Sequence, residues 1–283
     1  MFSSFTRSFL AGRRPSTSAA GSWSPGTDIT PAAWFDAADT STYATDASNI
    51  LIVIGDKAGT YNMNIIDSPT VVSNGLNGYN VFDFDGSASL VSDSFEAQVD
   101  GSGNHWAIGL FLADTVDQDK DSFWSYETNQ SPKRDYAISA AADNNTWPGE
   151  LDLDSLSSNR ISSTIGNRQT WDSGISMDNW HIVVAIFNKT GNQISVRADG
   201  ANAFTPVNDY DNSLSTNQDL RIMRNRSNRR LDGQFAEFFS VAGLPGTGGT
   251  DITDVQKAEG YLAHKWGVTS VLPADHPYKN SAP

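Results

Sequence analysis

From residue 28 onward, short apolar or alternating runs are separated by clusters of Gly, Asn, Asp and Pro. That is the punctuation of an antiparallel β protein. The runs at 50–54, 79–84, 106–113, 123–126 and 136–139 are predicted strands. The clearest pair is HIVVAIF (181–187) and QISVRAD (193–199). The NKTGN between them supplies the glycine of a hairpin loop. QFAEFFSV (234–241) follows a further turn at Asp232-Gly233. One segment has a different period: in TDVQKAEGYLAHKWG, Val255, Ala258, Leu262 and Trp266 share one apolar face. A helix is predicted near 253–266, with Thr253 and Gln256 as a capping box and Gly267 as its left-handed stop. A lone helix of this kind is expected to close one end of a sandwich.

The first 27 residues read differently, so the chain divides into an arm and linker at 1–27 and a β body at 28–283. Phe2, Phe5, Phe9 and Leu10 fall at helical spacing, with Arg7, Arg13 and Arg14 beside them and no acid. Pro, Ser, Thr, Ala and Gly then follow in linker proportions. A frayed terminus and an Arg- and Ser-rich transit peptide are two readings. The favoured one is a docking arm whose apolar stripe buries in a neighbour while its arginines meet carboxylates there. The stretch at 9–12 is too short for the apolar core of a secretory signal, and Arg13-Arg14 follows at once.

Composition narrows the partners. At 283 residues the chain can bury a sizeable core without staples, and its lack of cysteine excludes disulfides and thiolate metal sites. The net charge is −14, and the basic arm leaves the body more acidic still. Such a surface repels phosphates, so nucleic acid is not an expected partner. No run approaches the length of a membrane span.

Several stretches together resemble a family. DNWHIVVAIFNKTGNQISVRADG is similar to the Trp-His, strand, turn, strand, Asp-Gly signature of laminin-G-like, concanavalin-A-like jelly rolls. NVFDFDGSASL resembles their early Phe-Asp-Gly strand, and LRIMRNRSNRRLDGQFAEFFSVAG their late Asp-Gly strand segment. PAAWFDAAD and AEGYLAHKWGVTSVLPADHPYKNSAP look like the version found in structural proteins of marine tailed bacteriophages. The resemblance spans roughly residues 30–283. It implies an all-β, two-sheet antiparallel jelly-roll sandwich with one short C-terminal helix and an extended N-terminal arm. It also implies glycan or protein binding as the usual activity.

WPGELDLD (147–154) sets a catalytic reading beside a bland one. Glu150-x-Asp152-x-Asp154 is close to the Glu-x-Asp-x-Glu row of laminarinases and lichenases. Retaining glycosidases need carboxyls about 5–5.5 Å apart, whereas positions i and i+4 of a strand lie about 13 Å apart at Cα. A shorter Asp at 154 widens the gap. The wet face of a strand with Leu151 and Leu153 inward explains the alternation in full. The expectation is that the chain is not an enzyme, with a laminarinase-like hydrolase using Glu150 and Asp154 as an alternative.

Other candidates are weaker. Asp117, Asp119 and Asp121 alternate as calcium ligands would, but the EF-hand positions that follow hold Ser122 and Thr128, so no cofactor is expected beyond a loose calcium site. Arg221, Arg224, Arg226, Arg229 and Arg230 could grip anionic glycans, a neighbouring subunit, or the protein's own acids. Trp124, Tyr126, Trp147, Trp171 and Tyr210 lie near turn-rich sequence and are candidates for stacking on sugars. His105, His181, His264 and His276 show no metal-ligand spacing and are expected in packing or at the surface. The combined expectation is a virion structural protein of a tailed bacteriophage, in capsid or tail. Its arm would dock on other virion proteins and its lectin-like sandwich would touch host-surface glycans, with possible homo-oligomers. A free glycan-binding lectin is the other alternative.

Overall fold

The computed structural model describes residues 23–59, 61–92, 104–115, 121–128, 134–140, 150–157, 169–172, 178–188, 190–191, 193–202, 218–224, 230–246 and 251–283. The strands are β1 (Ala33–Asp36), β2 (Tyr43–Thr45), β3 (Leu51–Ile54), β4 (Met63–Ile66), β5 (Thr70–Leu76) and β6 (Tyr79–Asp85). They continue with β7 (Ser89–Ser92), β8 (His105–Thr115), β9 (Asp121–Thr128), β10 (Arg134–Ala140), β11 (Glu150–Ser157) and β12 (Gln169–Asp172). The last are β13 (Trp180–Asn188), β14 (Gln193–Ala198), β15 (Ala201–Asn202), β16 (Gln218–Ile222) and β17 (Asp232–Ala242). Helix α1 (Thr253–Lys265) and a 3-10 turn at Thr269–Val271 follow.

Two sheets form the body. An eight-stranded sheet runs β15-β14-β13-β8-β17-β6-β5, with β1 also on β17. A seven-stranded sheet runs β12-β11-β10-β9-β16-β7-β4, and β2 pairs with β3 apart from both. Every pairing between these strands is antiparallel among the described residues. This is the all-β, two-sheet antiparallel sandwich read from the sequence. The hairpin at 181–199 forms with Phe187 opposite Ile194 and Asn188 opposite Gln193.

Aromatic side chains fill the space between the sheets. Trp124 of β9 lies 5.7 Å from Phe111 of β8 and 5.6 Å from Phe238 of β17, between ring centroids. Tyr126 meets Phe187 of β13 edge-on at 5.9 Å. Strand β13 is buried at every position from His181 to Phe187, with no polar face. One set of alternate residues faces the other sheet, and the remainder faces α1, which lies against β8 and β13. The helix therefore covers the outer face of the eight-stranded sheet rather than closing an end of the sandwich.

Two further expectations are corrected. Thr253 is the first helical residue and not the cap: its N–H and hydroxyl both donate to Asp251 Oδ1, and the capping box does not form. The packed body also begins before residue 28. Trp23 is buried, meets Tyr261 edge-on at 5.7 Å and donates its N–H to the Pro283 carbonyl. Pro25 bridges Ile29 just after it. The space between α1 and the C-terminal segment needs a large side chain, and Trp23 fills it. The docking residues expected before it (Phe2, Phe5, Arg7, Phe9, Leu10, Arg13, Arg14) lie outside the described residues.

Candidate ligand cleft

Two buried carboxylates tie the C-terminal segment to the sheet. Glu237 of β17 is fully buried. It accepts from Trp34 Nε1 (2.8 Å), Tyr261 Oη (3.1 Å), Lys265 Nζ (2.6 Å) and Trp266 Nε1 (2.8 Å). Lys265 also reaches Asp36 at 2.8 Å, and Lys57 bridges Asp36 and Asp39 at 2.8 and 3.0 Å. Burial pushes the Glu237 carboxyl up, and the Lys265 ammonium pulls against it. Hydrogen bonds from Ser41, then Lys57, hold Asp39 down at about 2. Burial lowers Lys57, but the Asp36 and Asp39 carboxylates outweigh it and leave the ammonium raised.

Glu259 of α1 is the second carboxylate, also fully buried. Arg197 of β14 clamps it with Nε to Oε1 at 2.8 Å and Nη2 to Oε2 at 3.1 Å. The same guanidinium donates to Asn202 Oδ1 (2.7 Å) and the Gly200 carbonyl (2.5 Å). His276 Nε2 lies 3.1 Å from Glu259 Oε2. The Tyr278 N–H donates to His276 Nδ1, which assigns the ring proton to Nε2. Gly200 sits at φ +81°, and a Cβ there would approach His276 Cδ2 to 2.9 Å. That glycine lets the 199–200 turn close against the tail.

Every position of EGYLAHKWG thus has a packing role. Gly260 makes room for Tyr278, His264 Nε2 meets the Tyr278 carbonyl at 2.9 Å, and Gly267 (φ +69°) ends the helix against Asn77. Lys279 donates to the carbonyls of Thr269, Ser270 and Leu272 and pins the returning tail.

Between the 200–202 turn, α1 and that tail lies a cleft of about 230 Å³. Arg197 and His276 form its buried floor, and Asn202, Gln256, Pro273 and Asp275 stand at its rim. The volume is below the roughly 300–1,000 Å³ of pockets that enclose a drug-sized ligand. It has room for one ring of a longer molecule. The Arg197–Glu259 pair is neutral overall and fixes the floor; the rim keeps hydrogen-bonding capacity.

The residues singled out from sequence fall elsewhere. Trp124 and Tyr126 are wholly buried between the sheets, so neither offers a face to a sugar. Burial raises the Tyr126 phenol far above its ordinary range. Trp147 and Tyr210 lie outside the described residues, and Trp171 is described only as a position on β12, opposite Leu151. Glu150, Asp152 and Asp154 do lie on a strand, β11, where neighbouring Leu153 is registered against fully buried Ile138; their side chains lie outside the described part. Arg221 faces Asp219 at 3.7 Å and Arg230 meets Asp67 at 2.7 Å, so both engage the chain's own acids. Arg224 lies at the bridge to Arg230, and Arg226 and Arg229 lie outside the described residues. Asp117 and Asp119 are likewise outside, and Asp121 opens β9. Among the described residues no cluster of three or more His, Asp or Glu is placed to hold a metal, and no helix is long and apolar enough to cross a membrane. The four histidines are all in packing contacts; His105 stacks on Phe187 at 4.2 Å, and His181 Nδ1 lies 2.7 Å from Asp199 Oδ2.

No protein-family model matches the chain, and no curated protein matches it in sequence. Solved structures share its fold. One is domain 4 of AbnA, a GH43 extracellular arabinanase from Geobacillus stearothermophilus, in complex with arabinotriose. It has TM-score 0.50 and 11% identity, over 65% of this chain and 84% of that domain. Another is the Trypanosoma rangeli sialidase in complex with sialic acid. It has TM-score 0.51 and 12% identity, over 80% of this chain but only 33% of the sialidase. The chain therefore has the β-sandwich fold of domains found in carbohydrate-active proteins. The expectation of a non-enzyme is corrected: the fold is shared with one domain of an arabinanase and with about a third of a sialidase, so it gives no ground for excluding catalysis.

Proposed function

We propose that the chain is a glycan-binding β-sandwich and that the cleft above Arg197, Glu259 and His276 is its binding site. The observation that carries this reading is a rim of uncommitted polar groups over a rigid, charge-balanced floor. Asp275 and the Gln256 side chain accept and donate no hydrogen bond among the described residues, and Asn202 uses only its carbonyl oxygen. Carboxylate and amide groups held this way match sugar hydroxyls, which both donate and accept. The arabinotriose bound by the AbnA domain supports the ligand class. A glycan array probed with the purified chain tests it: binding that is lost in Asn202→Ala is expected, and an array with no bound glycan would refute the reading.

The finer reading is a structural subunit of a tailed-bacteriophage virion, docked on other virion proteins by residues 1–27 with the sandwich outward. The resemblance of the 31–39 and 258–283 segments to such proteins supports it. So does the position of Trp23, which seats the base of any tether against α1 and Pro283. Deletion of residues 1–22 is expected to leave the unfolding midpoint unchanged and to abolish incorporation into particles. Normal incorporation of the truncated chain would overturn the anchoring role.

A further inference from the structure

We infer that the cleft selects uncharged sugars and turns away anionic ones, an inference that rests on the glycan-binding reading above. The reason is that the one arginine or lysine among its described lining residues, Arg197, is already engaged. Arg197 is 4% exposed and places Nε, Nη1 and Nη2 on Glu259, Asn202 and the Gly200 carbonyl. A bidentate guanidinium fork is what recognises a carboxylate, sulfate or phosphate, and here an internal carboxylate occupies it. With Arg197 and Glu259 cancelling and His276 holding a single ring proton, Asp275 leaves the cleft one negative charge. An anionic group on the ligand would sit well inside the screening length of about 8 Å from that carboxylate. The described arginines of the 221–230 cluster are on or beyond β16, in the other sheet, and do not line the cleft.

The remaining groups fit a neutral diol. Asp275 supplies acceptors for hydroxyl protons. The Asn202 carbonyl is taken by Arg197, so its amide N–H groups remain as donors to hydroxyl oxygens. Gln256 offers one of each, and Pro273 and Pro277 add apolar C–H surface for a ring face. Two adjacent hydroxyls on one pyranose or furanose satisfy an acceptor and a donor set side by side.

Calorimetric titration separates the possibilities. The probes are neutral trisaccharides of glucose, galactose, xylose and arabinose, against sialyllactose and a sulfated trisaccharide. The full chain is expected to bind a neutral sugar and to give no heat with either anionic one. Asp275 is exposed and unbonded, so its variants retain the wild-type unfolding midpoint. Asp275→Asn is expected to weaken the neutral sugar roughly tenfold, as loss of a charged hydrogen-bond acceptor does. Asp275→Lys is expected to lose the neutral sugar and to admit sialyllactose. Wild-type binding of an anionic sugar as tight as the neutral one would overturn the selectivity and leave the glycan reading standing. Neutral binding unchanged in both variants would overturn the role of the cleft. Silence from every sugar would overturn the glycan reading itself and the selectivity with it.

Discussion

Glu237 has four hydrogen-bond donors around it and no exposure to water, so its energetics follow from its partners. Removing one member of a buried ion pair strands the other and costs about 3–5 kcal/mol. Glu237→Ala is expected to cost that much in denaturant unfolding. In Lys265→Met the charge left without a cation is Glu237, because Asp36 keeps its ion pair with Lys57. Burial already raises the Glu237 carboxyl, and a raised acid favours the fold below its unfolded range and loses that contribution as pH rises. The deficit in Lys265→Met is therefore expected to be largest at neutral pH and to shrink on mild acidification; a deficit independent of pH would contradict this. Asp114 follows the same sign: burial, then Asp232, Asp83 and Asp178, push its carboxyl up. Asp114→Asn is expected to raise the unfolding midpoint at pH 7 and to leave it unchanged below about pH 3.8, the ordinary value of the group.

At the scale of elements, patterns local to one segment were legible and pairings between segments were not. The 181–199 hairpin and the 253–265 helix carry their turn glycine and their apolar face within a dozen or so residues. Trp124 and Tyr126 were misread although the signal was present: two residues apart with Ser125 between, they share one face of a strand, and that face is the core. Thr253 lost its capping role because Asp251, two residues earlier, binds the same N–H. The cleft had no signature at all. Arg197, Asn202, Glu259 and His276 come from β14, β15, α1 and the tail, and only the tertiary fold brings them together. Gly233 shows how tight the register is: a Cβ there would lie 2.1 Å from the Leu112 carbonyl oxygen, and backbone cannot give way as a flexible side chain can. Gly233→Ala is expected to cost about 1–3 kcal/mol, the range for overpacking; a neutral result would mean that β17 shifts freely on β8.

The whole molecule is three layers: α1 and the returning tail, the eight-stranded sheet, and the seven-stranded sheet. The first interface is charged and fixed by Glu237 and Glu259, and the second is aromatic. Among the described residues the two fully buried carboxylates, Glu237 and Glu259, both lie at that first boundary, each met by a cation from another element. This layering also puts the cleft on the charged interface, where the Arg197–Glu259 pair fixes the floor beneath the rim groups. The measurement that tests this most directly is backbone NMR of the isotope-labelled chain during titration with neutral trisaccharides. The account predicts shifts confined to Ala201, Asn202, Gln256, Asp275 and His276, with the resonances of β9 and β16 unmoved. Shifts centred on those strands, or no shifts at any sugar concentration, would contradict it.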